Sequence, residues 1–409
     1  MLLLSAFVSL INSEIPAHPL RSPITLYPSR LARIVTALIA GLSPGTSPPP
    51  VRIAIIPLVD FCVAMIFCFL FDSIISKFKT SKVKLFNIIP KTLIMPENRT
   101  SINSRKNLSV LITGGTGLVG KYLTAALIEA GYNVSHLSRG NNKPGNIRVF
   151  RWDPERGQID REALDGIDYI IHLAGANIGE KRWTNKRKHE IIRSRVDSAK
   201  LLHKTISDNG ISLKAFISAS ATGIYGAESS AQVYVENDPP AQDFLGSVCR
   251  QWEAAADLFQ NSGIRTVKIR TAIVLEKNDS ALSKLMKPAN FGFLVKTGSG
   301  LQYMPWIHIN DLCGIYLKAI EDSEIKGPFN AVAPQHVTHD DFMKTLGRIM
   351  KRPVLSVAVP AFLLKLILGE MSEVILTGSR ASSDKIINSG FRFRFGNLEE
   401  ALNDVLLKS

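Results

Sequence analysis

From residue 107 onward, short apolar runs alternate with longer stretches in which apolar residues recur at helical spacing. Val110-Leu111-Ile112-Thr113 reads as a buried strand that breaks into a glycine turn containing Gly114, Gly115, Gly117 and Gly120. The stretch after it carries Val119, Leu123, Leu127 and Ala130 on one face, and Gly131 ends the helix. Residues 133–137 give a second strand, 168–175 a continuous apolar one ending in small residues, and 214–220 another ending in hydroxyls. Residues 265–270 supply a further strand, and helical stretches at 186–207 and 243–261 lie between. Strands alternating with helices predict an α/β protein built on a doubly wound parallel sheet.

After Arg270 the pattern changes. Residues 280–293 read as a helix and loop, 298–300 as a turn, and 311–321, 338–350 and 360–377 as helices. Phe362 to Leu368 is strongly apolar, with Lys365 its one charge, but too short to span a bilayer, so it reads as core or as a wall of a ligand cleft. Phe391, Phe393 and Phe395 alternate with Arg392 and Arg394, which predicts a strand with one apolar face. The expected division is therefore an N-terminal extension at 1–106, a nucleotide-binding domain at 107–275 and a small α+β lobe at 276–409 that interleaves with the sheet. A small-molecule substrate is expected between that lobe and the carboxyl ends of the strands.

The glycine turn carries the chemistry. Gly114 allows the tight turn, Gly117 lets backbone approach a pyrophosphate, and Gly120 lets helix pack on strand. The phosphates would then rest on free amides at the positive end of the helix, beside Thr116, Leu118 and Val119. The second strand ends in Ser138-Arg139, and no Asp or Glu lies between Ala130 and Gly145. An acidic residue there would suit the ribose 2′-hydroxyl of NAD, whereas Arg139 suits the 2′-phosphate of NADP. Leu173-Ala174-Gly175 closes a parallel strand where a cofactor is met. Lys181 and Arg182 follow it within reach of a phosphate or an anionic substrate. The expected cofactor is NADP(H).

Longer motifs recur in order along the same stretch. They are His172-Leu173-Ala174-Gly175-Ala176-Asn177-Ile178, Lys181-Arg182-Trp183-Thr184, and Ile217-Ser218-Ala219-Ser220-Ala221-Thr222-Gly223-Ile224-Tyr225-Gly226. Val248-Cys249-Arg250-Gln251-Trp252-Glu253, Trp306-Ile307-His308-Ile309-Asn310-Asp311 and Leu368-Gly369-Glu370-Met371 follow. On these segments the chain resembles an atypical, extended short-chain dehydrogenase/reductase among the NAD(P)-dependent epimerase family proteins. The resemblance is to the SulA-like "sugar nucleotide epimerase" group, which carries a C-terminal domain of unknown function. It runs from about residue 107 to 407 and implies a Rossmann-type core binding NADP(H), with a C-terminal substrate lobe. It names no substrate.

The resemblance also implies a catalytic Tyr with a Lys four residues later, beside a Ser or Thr. Ser220 is the hydroxyl candidate, with Ser218 and Thr222 close by. By register against Glu253, the Tyr and Lys positions fall on Leu245 and Cys249, and the family's helix asparagine falls on Arg195. Hydride transfer still requires a group that exchanges a proton with the substrate oxygen. Tyr225, five residues past Ser220 in a glycine-flanked loop, is one candidate, and its alternative is packing beneath the substrate lobe. His308 precedes a helix that Asp311 is placed to cap. Two functions follow: an NADP(H)-dependent oxidoreductase or epimerase acting on a small carbonyl, alcohol or sugar-like substrate, or an NADPH-binding regulatory or structural protein with little or no turnover.

Composition narrows the remainder. With 409 residues and 45% hydrophobic content the chain can bury a large core. The formal charge is +14, and Lys181, Arg182, Lys186, Arg187, Lys188, Arg193 and Arg195 concentrate part of it. That cluster lacks a recognition motif or interleaved aromatics, so no nucleic-acid partner is expected. Cys62, Cys68, Cys249 and Cys313 form no CxxC pair, which fits a reducing compartment, and the histidine spacings suggest no metal site. Before residue 95 the chain differs in kind, with nine Lys or Arg against Glu14, Asp60 and Asp72. Residues 53–71 are long enough to span a bilayer, and the following Lys77, Lys79, Lys82 and Lys84 would place the enzyme on the cytoplasmic side. An over-extended start before Met95 and an organelle transit peptide are the other two readings. A cytoplasmic location is expected, with membrane anchoring through 53–71 as the alternative.

Overall fold

The computed structural model describes residues 108–140, 147–226, 232–278 and 280–407. The extension at 1–106, with its candidate span at 53–71, lies outside them. No described helix is long and apolar enough to cross a membrane.

In chain order, β1 (Ser109–Thr113) leads through the glycine turn into α1 (Leu118–Glu129), then β2 (Asn133–Ser138), β3 (Arg148–Asp153) and β4 (Gln158–Ile159). Next come β5 (Tyr169–His172), α2 (Asn185–Asp208), β6 (Ala215–Ala221), β7 (Val233–Tyr234) and α3 (Phe244–Asn261). They are followed by β8 (Thr266–Thr271), β9 (Ile273–Leu275), α4 (Ala281–Met286), β10 (Leu294–Thr297) and β11 (Trp306–His308). The chain continues with α5 (Ile309–Glu321), β12 (Gly327–Ala331), α6 (His339–Met350), β13 (Val354–Val359) and α7 (Ala361–Leu368). It closes with α8 (Glu373–Leu376), β14 (Arg380–Ala381), α9 (Asp384–Asn388) and α10 (Leu398–Leu407).

The main sheet has the order β12-β8-β6-β5-β1-β2-β3-β4 and is parallel except for β4. This is the doubly wound α/β architecture that the strand–helix alternation predicts. Both faces are covered, which explains why the central strands β1 and β5 read as unbroken apolar runs and not as alternation. On one face Val110, Ile112, Ile217 and Ile269 pack with Leu123 and Leu127 of α1 and Leu312 and Ile315 of α5. On the other, Leu111, Ile170 and Phe216 meet Leu202 and Ile206 of α2 and Phe259 of α3. Phe216 and Phe259 stack with ring centroids 3.6 Å apart.

The edge strand β12 comes from the region after residue 275, so the C-terminal region is woven into the sheet. The lobe has its own core, in which Leu294, Trp306, Phe342, Leu346, Phe395 and Leu402 are buried together. Two-stranded parallel pairs β9–β11, β10–β13 and β7–β14 hold its segments.

Three expectations need correction here. The helix predicted at 360–377 is broken: Gly369 takes φ +61°, and the chain runs as α7, a short 3-10 turn and α8. Residues 391–395 form no strand. Phe391 and Phe395 are buried as the period-two pattern demands, but the backbone amides of Arg394 and Phe395 donate to Asp311 (2.8 and 3.0 Å) in place of a neighbouring strand. Asp311 therefore does not cap α5. That role falls to His308, whose Nδ1 accepts from the Asn310 amide at 3.1 Å. The His308 ring lies 3.9 Å from that of Phe395, and burial holds its pKa down to about 4. His308 thus works as a neutral cap within the lobe core.

Candidate cofactor and substrate site

The chain runs from β1 through β2 and β3 to β4 on one side and then crosses back to β5 on the other side of β1, so the switch point of the sheet lies at the carboxyl ends of β1 and β5. The glycine turn sits there. Gly114 has φ +71°, and a Cβ on it would come 3.0 Å from the Leu173 carbonyl carbon and oxygen. The ends of β1 and β5 are tied besides by the Leu173 amide donating to the Thr113 carbonyl (3.1 Å) and the Ala174 amide donating to Thr113 Oγ1 (3.1 Å). A Cβ on Gly120 would lie 2.5 Å from the Gly114 carbonyl oxygen, so only glycine lets α1 seat this closely on the turn. Gly117 caps α1 without a side-chain bond, and no acidic residue occupies the first turn. Thr116 and Gly117 are exposed, with Leu118 and Val119 partly so. The result is a helix end whose amides and positive dipole face solvent.

Ser138 and Arg139 follow directly at the end of β2. Ser138 Oγ accepts from the Gly140 amide at 3.2 Å, and Arg139 is exposed. Lys181 is exposed too, 4.0 Å from Glu180. The loop that carries it is rigidly held: Trp183 Nε1 donates to the Ile178 carbonyl (2.9 Å), and buried Arg187 pairs with Glu180 (3.1 Å) and Glu190 (2.7 Å). The lobe closes on this loop, with Lys284 donating to the Gly179 carbonyl (2.8 Å), Lys188 pairing with Glu370, and Arg182 packed on Gly369.

Ser220 and Tyr225 are placed differently from the nucleotide-side residues. Ser220 is 3% exposed and donates to Glu253 Oε1 at 2.7 Å. The Glu253 carboxylate also receives Arg270 in bidentate fashion, Nε at 2.8 Å and a terminal nitrogen at 2.9 Å. The other terminal nitrogen of Arg270 donates to Tyr225 Oη (3.0 Å) and to the Glu236 carbonyl (2.9 Å). Tyr225 is 2% exposed, donates to Asn330 Oδ1 at 2.6 Å, and burial pushes its pKa up to about 12. Asn330 in turn donates to the Ser382 carbonyl of the lobe (3.0 Å). Both hydroxyls thus belong to one buried polar network joining β6, α3, β8, β12 and the lobe.

That network escaped the sequence reading, although a signal existed. Arg270 follows Lys268 at the positions of β8 that alternate with Val267 and Ile269, and Glu253 stands four residues after Cys249 on the buried face of α3. Leu245 and Cys249 on that face lie nearest the position where a Gly223 side chain would start, at 3.6 and 3.9 Å, so they border the carboxyl end of β6. The Cys249 thiol is buried and its pKa is pushed up to about 12 by that burial.

Comparisons with known proteins agree with this arrangement. Residues 110–331 match the NAD dependent epimerase/dehydratase family, and residues 359–405 match a domain of unknown function, DUF1731. Epimerase family protein ML0860 of Mycobacterium leprae is 34% identical over 301 residues, 73% of this chain and 96% of its own length. Epimerase family protein YfhF of Bacillus subtilis is 35% identical over 301 residues, 73% of this chain and 98% of its own. Among solved structures, human epimerase family protein SDR39U1 (isoform 2) with NADPH superposes with a TM-score of 0.64 at 29% identity, covering 73% of this chain and 99% of that one. With a doubly wound sheet, a glycine turn at its switch point and these matches along most of the described length, the chain belongs to the NAD dependent epimerase/dehydratase family.

Proposed function

We propose that the chain is an NADP(H)-dependent oxidoreductase or epimerase acting on a small carbonyl, alcohol or sugar-like substrate. The observation that carries this reading is the uncapped end of α1 behind a turn in which Gly114 and Gly120 leave no room for side chains and Gly117 little. A dinucleotide fits that cradle. Gly114, Thr116, Gly117, Leu118, Val119 and Gly120 would hold the pyrophosphate through backbone. Ser138 and Arg139 would take the 2′-phosphate, while Leu173, Ala174 and Gly175 would line the nicotinamide half. Lys181 would add positive charge at the rim. A bound NADP(H) supplies the hydride; the chain's own residues bind it, orient it and exclude water. In this reading Ser220 and Tyr225 stabilise the floor of the site through the Glu253–Arg270 network and do not contact substrate, because both are almost fully buried and their O–H groups donate to Glu253 and Asn330.

A second reading, NADPH binding with little turnover, is favoured by one observation. The two residues bordering Gly223 are Leu245 and Cys249, neither of which exchanges a proton with an oxygen at neutral pH. The readings separate by following dihydronicotinamide absorbance while the full chain and NADPH meet a panel of small aldehydes, ketones and ketoses. Consumption that depends on one carbonyl supports the enzyme. Saturable binding without consumption across the panel supports the second reading.

A further inference from the structure

We propose that Arg195 is a substrate-binding residue that pairs with a carboxylate, so that the substrates of this site are carbonyl or alcohol compounds carrying a carboxylate group. This rests on the reading of the crevice as a dinucleotide site, whose two halves divide across the switch point. The adenosine half belongs over β1 and β2, where Arg139 stands, and the reacting half over β5 and β6. Arg195 is on the latter side.

Arg195 projects from the third turn of α2 into the space beside the end of β5. Its guanidinium carbon lies 2.9 Å from where a Gly175 Cβ would be, and Gly175 is exposed in the crevice. Below, the guanidinium rests 4.9 Å from the Trp252 ring centroid. It makes one hydrogen bond, a terminal nitrogen donating to its own helix at the Ile191 carbonyl (2.9 Å). Among the described residues no carboxylate pairs with it. The groups whose charge it feels are the buried Cys249 thiol, His172 and Arg187. Cys249 and His172 are neutral at pH 7, the histidine held down to about 3 by burial and by Arg195 itself. Arg187 is cationic and already engaged by Glu180 and Glu190. Glu253, one turn past Cys249, is occupied by Arg270 and Ser220.

A partly buried guanidinium with one bond among five donors has given up part of its hydration without gaining a counter-ion. Such an arrangement costs stability in the free protein and is relieved by an anion. The planar fork matches a carboxylate in two parallel bonds. Helix α1 already serves the phosphates at the other end of the crevice, so the anion reaching Arg195 is the substrate's own.

The test uses the full chain and Arg195→Met, which keeps the aliphatic length packed on Trp252. Formate, oxamate and phenylacetate are titrated with NADPH present and absent, and acetamide serves as the neutral control. The expected results are that at least one carboxylate binds the wild type, that Arg195→Met weakens it at least tenfold, and that NADPH affinity stays within about twofold. Arg195→Lys should recover part of the loss. The ligand-free Arg195→Met protein should melt about 2–4 °C higher, because an uncompensated charge is gone. A purely structural arginine would instead lower the melting temperature. Carboxylate binding that is absent from the wild type, or unchanged in Arg195→Met, overturns the proposal. Loss of NADPH binding in the wild type, with the carboxylate effect intact, would sink the dinucleotide reading and leave the anion site standing.

Discussion

Replacing Glu253 with Ala is expected to destabilise the folded chain by about 3–5 kcal/mol, because it strands Arg270 as a buried charge. Arg270 is 5% exposed, and both carboxylate oxygens of Glu253 face it at 2.8 and 2.9 Å. Removing the carboxylate also frees the Ser220 hydroxyl and loosens the Tyr225–Asn330 contact that ties β12 and the lobe to β8. Glu253→Gln should cost less, since an amide still accepts from one Arg270 nitrogen. The double variant Glu253→Ala, Arg270→Met should lose less than the two single changes added together, as expected for partners in one network. Urea unfolding of the wild type, the three single variants and the double variant measures this. A loss under about 1 kcal/mol for Glu253→Ala would mean that water fills the gap and that the network is not closed.

Gly120→Val is expected to weaken NADPH binding by roughly a hundredfold, about 2.7 kcal/mol, with a stability loss of about 1–3 kcal/mol from overpacking. The first added carbon would stand 2.5 Å from the Gly114 oxygen and 2.6 Å from the Gly115 Cα, both backbone atoms that cannot rotate away. Helix α1 must therefore lift, and its amides move off the pyrophosphate position. Gly117→Ala makes a graded comparison, since its new carbon meets only the Gly114 oxygen, at 3.2 Å. Equal NADPH affinity in wild type and Gly120→Val would show that the nucleotide binds elsewhere.

Much of the sheet was legible in advance because its physics is local. A parallel strand covered on both faces is apolar from end to end, so 110–113, 168–175 and 214–220 stand out, and the glycine turn announces the helix behind it. What the sequence hid depends on partners far away in the chain. The alternation of Phe391, Phe393 and Phe395 looked like a strand, but its amides are satisfied by the carboxylate of Asp311, more than eighty residues earlier. Asp311 in turn was free for this because His308 caps α5 from one residue before the helix. The apolar run inside 360–377 suggested one helix, and only the left-handed conformation at Gly369 reveals the break. Ser220 and Tyr225 were sensible candidates by position. Their hydroxyls are drawn into a network whose other members, Glu253, Arg270 and Asn330, are spread over three more elements and share no motif.

The measurement that tests the account most directly is a fluorescence titration of the full chain with NADPH and, separately, NADH, repeated with Arg139→Ala. The account predicts saturable binding of both nucleotides, with NADPH at least tenfold tighter, and a preference that collapses in Arg139→Ala while NADH affinity barely changes. A charged hydrogen bond of about 1.5–3 kcal/mol to the 2′-phosphate corresponds to that ratio. Equal affinities in the wild type would contradict the role of Arg139, and a folded protein that binds neither nucleotide would contradict the account as a whole.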